Sequence, residues 1–252
     1  MDGERTSHKG SGWGAGAILG LFLAAGLVGS ALIVADTARD VVPVRDKIQV
    51  KGYSEKRVTA DMGTWTGQFN ARTPSLKTAY AELQSARQKV EAFLKAQGFE
   101  GDAVDYAPVQ TIVHFRFDPQ GGMTNDVQGY ELSQSVTVTS ADVEKLNRLS
   151  REVSSLINEG VAFMSFPPQY YYTGLEALKL ELLSDATANA RERAIALAEA
   201  GGAKVGPLRS ARQGVFQITP AISTEVSDYG VYDTSSIEKT VKSVVTVEFA
   251  IE

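Results

Sequence analysis

The sequence predicts an α+β fold in which mixed or antiparallel sheets pack with three main helices, preceded by one N-terminal transmembrane helix. Three observations lead there. Residues 11–35 form an uncharged run, SGWGAGAILGLFLAAGLVGSALIVA. Three stretches of helical spacing follow it, and strand-like segments separate them in the order ββαββαβαββ. Helices that alternate unevenly with paired strands argue against a doubly wound parallel sheet.

The apolar run is long enough to span a bilayer, since about 20 helical residues cross a hydrocarbon core of about 30 Å. A cleaved signal peptide, with an apolar region of about 7–15 residues, is the shorter alternative. The chain therefore divides into a short cytoplasmic tail at 1–12, an anchor at 13–35, a polar linker at 36–46 with Pro43, and a globular domain at 47–252. Arg5 and Lys9 precede the span while Arg39, Arg45 and Lys47 follow it, so positive charge does not set its direction. A short tail ahead of a large domain favours an N-in signal anchor. Gly12, Gly16, Gly20 and Ala24 recur every four residues, a small-residue stripe that lets two membrane helices approach closely.

Beyond the linker, Ile48-Gln49-Val50 opens a strand in which Gly52 marks a bulge or a close contact. A second strand runs over residues 59–71, with Trp65 and Phe69 on one face. Thr73-Pro74 supplies an N-cap and a first-turn proline for a helix carrying Leu76, Ala79, Tyr80, Leu83, Val90, Phe93 and Leu94 at helical spacing, closed by Gly98. Strands over 106–117 and 130–139 flank a loop, DPQGGMTNDVQG. Ser140 caps a second amphipathic helix, stopped by Gly160. Residues 162–172 are extended, with Pro167-Pro168 confining them to an edge or bend. The longest helix covers 175–200, and its Ala186, Ala190, Ala194 and Ala198 form a ladder suited to close packing. Strands near 208–218 and 241–251 enclose a long loop, 219–238, of a length that usually serves function.

The chemistry the composition permits is narrow. There is no cysteine, which excludes disulfides, thiolate metal sites and thiol redox chemistry. The net charge of −5 falls wholly after residue 35, because Asp2 and Glu4 balance Arg5 and Lys9. Such a domain has no electrostatic reason to hold nucleic acid. His8 precedes the span and His114 lies on a predicted strand, where a lone imidazole is usually structural. No GxSxG elbow accompanies it. Asp102, Asp105, Asp118 and Asp126 leave a carboxylate hydrolase formally open, although their placement at loop and strand ends suits capping. No metal or cofactor is expected. Tyr170, Tyr171 and Tyr172, with Tyr229 and Tyr232 in the late loop, are the interface candidates, since aromatic rings carry much of the energy at interfaces. An edge strand packed on its own domain is the competing account of the first three.

Three segments carry a family resemblance: IQVKGYSEKRVTAD at 48–61, GYELSQSVTVTSADVEKLNRL at 129–149 and ATANARERAIALAEAGGAKVGPL at 186–208. Together they resemble the SIMPL-domain family of YggE-like oxidative-stress defence and periplasmic immunogen proteins. Ala60 stands where that family often has proline. The resemblance implies an α+β envelope protein that builds large homo-oligomers and is loosely tied to stress tolerance, with no agreed mechanism. The expectation is a non-enzymatic, single-pass protein of the cell inner membrane, with its large C-terminal domain in the periplasm. Membrane lipid, copies of itself and an unidentified envelope protein are its expected partners, and it acts as scaffold or partner-binding module. The alternative is an extracytoplasmic small-molecule or peptide binding protein, with the tyrosines and the 219–238 loop as a lid.

Overall fold

Alternation of small and apolar residues with polar ones sets up the longest strand pairing of the chain. Strand β1 (Lys47–Thr59) runs antiparallel to β11 (Glu238–Ile251) in unbroken register from Lys47 opposite Ala250 to Thr59 opposite Glu238. The computed structural model describes residues 24, 26–31, 47–223 and 227–252. Strands β8 (Val205–Gln213) and β9 (Gln217–Pro220) share the other edge of β11, and β10 (Val231–Tyr232) adds parallel to β9. This is the first sheet.

The second sheet is built on β2 (Met62–Thr73) and β5 (Met123–Ser140), paired antiparallel. The strands β3 (Val104–Tyr106) and β4 (Gln110–Phe117) line the far edge of β5, while β6 (Ala162–Ser165) and β7 (Gln169–Tyr171) line that of β2. The chain crosses between the sheets twice, at Ala60-Asp61 and through the last long helix. Except for β9–β10, every pairing is antiparallel, in keeping with the expected α+β class.

Helix α1 (Leu76–Ala96) buries Ala79, Leu83, Ala86, Val90 and Leu94, a stripe at helical spacing, against Trp65, Phe69, Leu132 and Val136. It begins later than expected: Thr73 Oγ1 donates to the Ser75 carbonyl at 2.7 Å, and Thr73-Pro74 stays outside the helix. Its end is as read, with Gly98 at φ +74°. The cap of α2 (Val143–Glu152) is Asp142, which accepts from the Lys145 N–H at 2.9 Å, while Ser140 Oγ accepts from the Asp142 N–H. The predicted second helix breaks after Glu152 and resumes as the single turn α3 (Ser155–Asn158).

Helix α4 (Leu175–Ala200) matches its predicted limits and covers the first sheet. Leu178 and Leu182 pack with Val58, Ile218 and Val241; the alanine ladder then lies on Val50, Val245, Val247 and Phe249. At Gly52 the approach is so close that a Cβ would stand 1.9 Å from the Ala186 carbonyl oxygen. Gly52 therefore marks a close contact. Asn189 Oδ1 accepts from the Tyr53 N–H at 3.2 Å, and Arg193 donates to the Lys51 carbonyl at 3.1 Å. The outward backbone groups of this stretch of β1 are thereby occupied by α4, which shields the strand from a further partner.

Of the apolar N-terminal run, residues 24 and 26–31 are helical, and the rest of the expected anchor lies outside the described residues. No helix among the described residues is long and apolar enough to cross a membrane.

Candidate functional site

The segment read as a loop at 118–129 is largely strand. Only 118–122 form the turn, in which Asp118 Oδ1 accepts from the N–H groups of Gln120 and Gly122 at 2.9 and 2.7 Å, and Gly121 takes φ +87°. From Met123 onward β5 pairs back along β4, Phe117 lying opposite Met123. Clusters of Asn, Asp and Gly signal turns; here cross-strand pairing overrides them. Because β2 reaches β5 only from Tyr130 onward, the distal part of β4–β5 is a two-stranded arm standing clear of the sheet.

One face of this arm is apolar and, among the described residues, uncovered. Val113, Phe117, Met123 and Val127 are 38, 65, 71 and 45 % exposed, and Phe115 lies among them in register with Val127. A lone two-stranded ribbon is marginal in water, and a contiguous apolar patch on a surface marks a contact site. Among the described residues, no strand pairs with the outer edge of β4. Sequence reasoning missed the arm because it saw a loop; the signal was the alternation Val113, Phe115, Phe117 running up to it.

The opposite face of the second sheet is polar and open. Cross-strand register sets Gln110, Ser133 and Asn70 side by side, with Gln68 and Glu131 beside them. Together with Ile112, Ile157 and Met164 they border a groove of about 550 Å³. Glu131 is fixed in place: Asn70 Nδ2 donates to Oε1 at 3.2 Å, and His114 Nε2 lies 2.7 Å from Oε2. His114 thus has a carboxylate partner, which accounts for it structurally. These groove residues were not singled out from sequence, since each reads as the solvent side of its own strand.

The tyrosines divide. Tyr170 is buried in a cluster with Ala60 and Val143, and burial pushes its phenol above the ordinary value. Tyr171 is half-buried, and Tyr172 packs against the cluster of Val58, Leu178, Leu182, Ile218 and Val241. Tyr229 and Tyr232 are 98 and 56 % exposed. The space bordered by Tyr170, Tyr172, Tyr232 and Asp233 is only about 10 Å³, room for a single water. Gly12, Gly16 and Gly20 lie outside the described residues, and Ala24 is an exposed helical residue.

Next to the tyrosines lies an unforeseen ion pair. Lys239, 2 % exposed, donates to the Asp233 carbonyl at 2.7 Å and to Asp233 Oδ2 at 3.2 Å. Asp233 also accepts from the hydroxyls of Ser235 and Ser236 and from the Ser235 N–H. Burial pushes this carboxyl upward, but the two hydroxyls, the N–H and the ammonium outweigh it and hold the group well below the usual carboxylate range. The segment so fixed joins the sheets, since Thr234 and Ile237 carbonyls accept from the N–H groups of Tyr170 and Ala60.

Asp102 sits in a 3₁₀ turn, Asp105 in β3 and Asp118 in the arm's turn, with Asp126 further along the arm. Among the described residues, no three His, Asp or Glu side chains come together in a way that would hold a metal.

Comparison with known proteins gives two findings. A family model, SIMPL, described as a protein of unknown function (DUF541), matches residues 48–249. The chain is also similar to the uncharacterized protein YggE of Edwardsiella ictaluri (strain 93-146), 24 % identical over 205 residues, which cover 80 % of this chain and 82 % of that protein.

Proposed function

The chain belongs to the SIMPL family, and from that premise we propose that it is a non-enzymatic, membrane-anchored envelope protein that assembles with copies of itself into a scaffold or partner-binding body. The observation that carries this reading is the β4–β5 arm, whose apolar face of Val113, Phe115, Phe117, Met123 and Val127 has nothing to cover it among the described residues. A second copy supplies the missing cover. The long apolar run at 13–35 supports the anchor, with the domain on the periplasmic side of the inner membrane. Any part in oxidative or envelope stress tolerance is indirect, because the chain has no cysteine and only four methionines.

Sedimentation velocity of the full-length chain in detergent tests the assembly. The expected result is an oligomer that Phe117→Ser with Met123→Ser breaks into smaller species, while the circular dichroism spectrum stays unchanged. A wild-type chain that remains monomeric at high concentration overturns the reading.

A further inference from the structure

The groove on the open face of the second sheet has no part in the proposed assembly, because strand alternation turns Ile112 toward the groove and Val113, Phe115 and Phe117 toward the arm's apolar face. Its chemistry is specific enough to name an occupant. Among the residues that border it, Glu131 is the one acidic side chain, and neither lysine nor arginine accompanies it there. The carboxylate is held by Asn70 and His114, one bond to each oxygen, which leaves further acceptor positions on both. Arg72 lies opposite Glu131 in the strand register but makes no ion pair with it. The acceptor positions left on this carboxylate suit an ammonium donor.

The remaining surroundings point to a peptide. The side chains of Gln68, Gln110 and Ser133 make no hydrogen bond among the described residues, so donors and acceptors stand ready for the N–H and C=O groups of an extended backbone. Ile112, Ile157 and Met164, at 52, 57 and 57 % exposure, offer aliphatic walls, and methionine adapts to varied neighbours. Phe163 has its ring stacked on Trp65 at 6.0 Å between centroids, and no other aromatic side chain borders the groove, which disfavours sugars and bases that need a stacking platform. The volume suits a segment of a few residues. We infer that the groove binds a short extended peptide carrying a lysine ammonium to Glu131, with aliphatic side chains on either side.

The test uses the full-length chain in detergent and acetyl-Val-Lys-Ile-amide as probe, followed through the methyl resonances of Ile112, Ile157 and Met164. The lysine peptide is expected to shift those methyls, and Nε-acetylation of its lysine is expected to weaken binding roughly tenfold or more. Glu131→Gln produces the same loss, and Ile112→Ser weakens binding while leaving the carboxylate in place. Should Glu131→Gln fail to fold, the acetylated and free peptides still decide the matter on the wild-type chain. Equal affinity for the two peptides, shifts with maltotriose alone, or no shift with any probe at millimolar concentration overturns the inference. Sedimentation of the same samples separates this outcome from a failure of assembly.

Discussion

At the scale of single residues, two positions carry more of the fold than their side chains suggest. Gly52 is where α4 comes closest to the sheet, and any Cβ there meets the Ala186 carbonyl at 1.9 Å, backbone that cannot swing aside. Gly52→Val is expected to cost about 3 kcal/mol or more, beyond ordinary overpacking, seen as a lower urea midpoint. Asp233 is the second. Its depressed carboxyl stabilises the folded chain fully above the unfolded value of about 4, and that contribution is lost progressively as pH falls from there toward the folded value. Asp233→Asn leaves the Lys239 ammonium buried without its counter-charge, and a loss of about 3–5 kcal/mol at neutral pH follows. Thermal melts from pH 7 to pH 2 check both: the wild-type melting temperature falls steeply in acid, whereas that of the variant starts lower and falls less.

At the scale of elements, the arm is the part whose behaviour differs most from its sequence. Helical spacing together with capping and glycine stop signals located the three main helices, although the second breaks after Glu152, and the alanine ladder closed by Gly201-Gly202 marked the end of α4. Strand-rich segments were harder. Met123 to Gly129 holds Asn, Asp and Gly, so local preference says loop, while the hydrogen bonds that make it strand come from β4 across the turn. The same limit hid the groove, since Gln68, Gln110 and Glu131 come from three strands whose neighbours only the register decides. The Asp233–Lys239 pair escaped for a third reason: charged residues are rarely so buried, and nothing local announces that these are. Shortening the arm by deleting 116–124 is expected to leave the melting temperature of the domain within a few degrees and to abolish arm-dependent self-association, because that stretch packs on neither core.

At the scale of the whole molecule, the proposed assembly has two separate means of bringing copies together, the anchor and the arm. The stripe of Gly12, Gly16, Gly20 and Ala24 belongs to the first. Gly16→Ile with Gly20→Ile is expected to lower the apparent association constant in detergent and to leave arm-dependent association standing; cross-linking of the double variant and of the arm variant, side by side, reads the two contributions. The pairing of β1 with β11 has another consequence. β11 is the strand on which the whole first sheet is built, yet among the described strands it comes last in sequence, and β1 comes first. The second sheet, with residues 62–171, finds all its partners within one continuous stretch. As a ribosome delivers the chain from its beginning, the second sheet can close early, while β1 waits through almost the entire synthesis for β11, its strand partner. During that wait the newborn protein holds a sticky, unmatched ribbon close to its start, and it is there that a chaperone has most to guard.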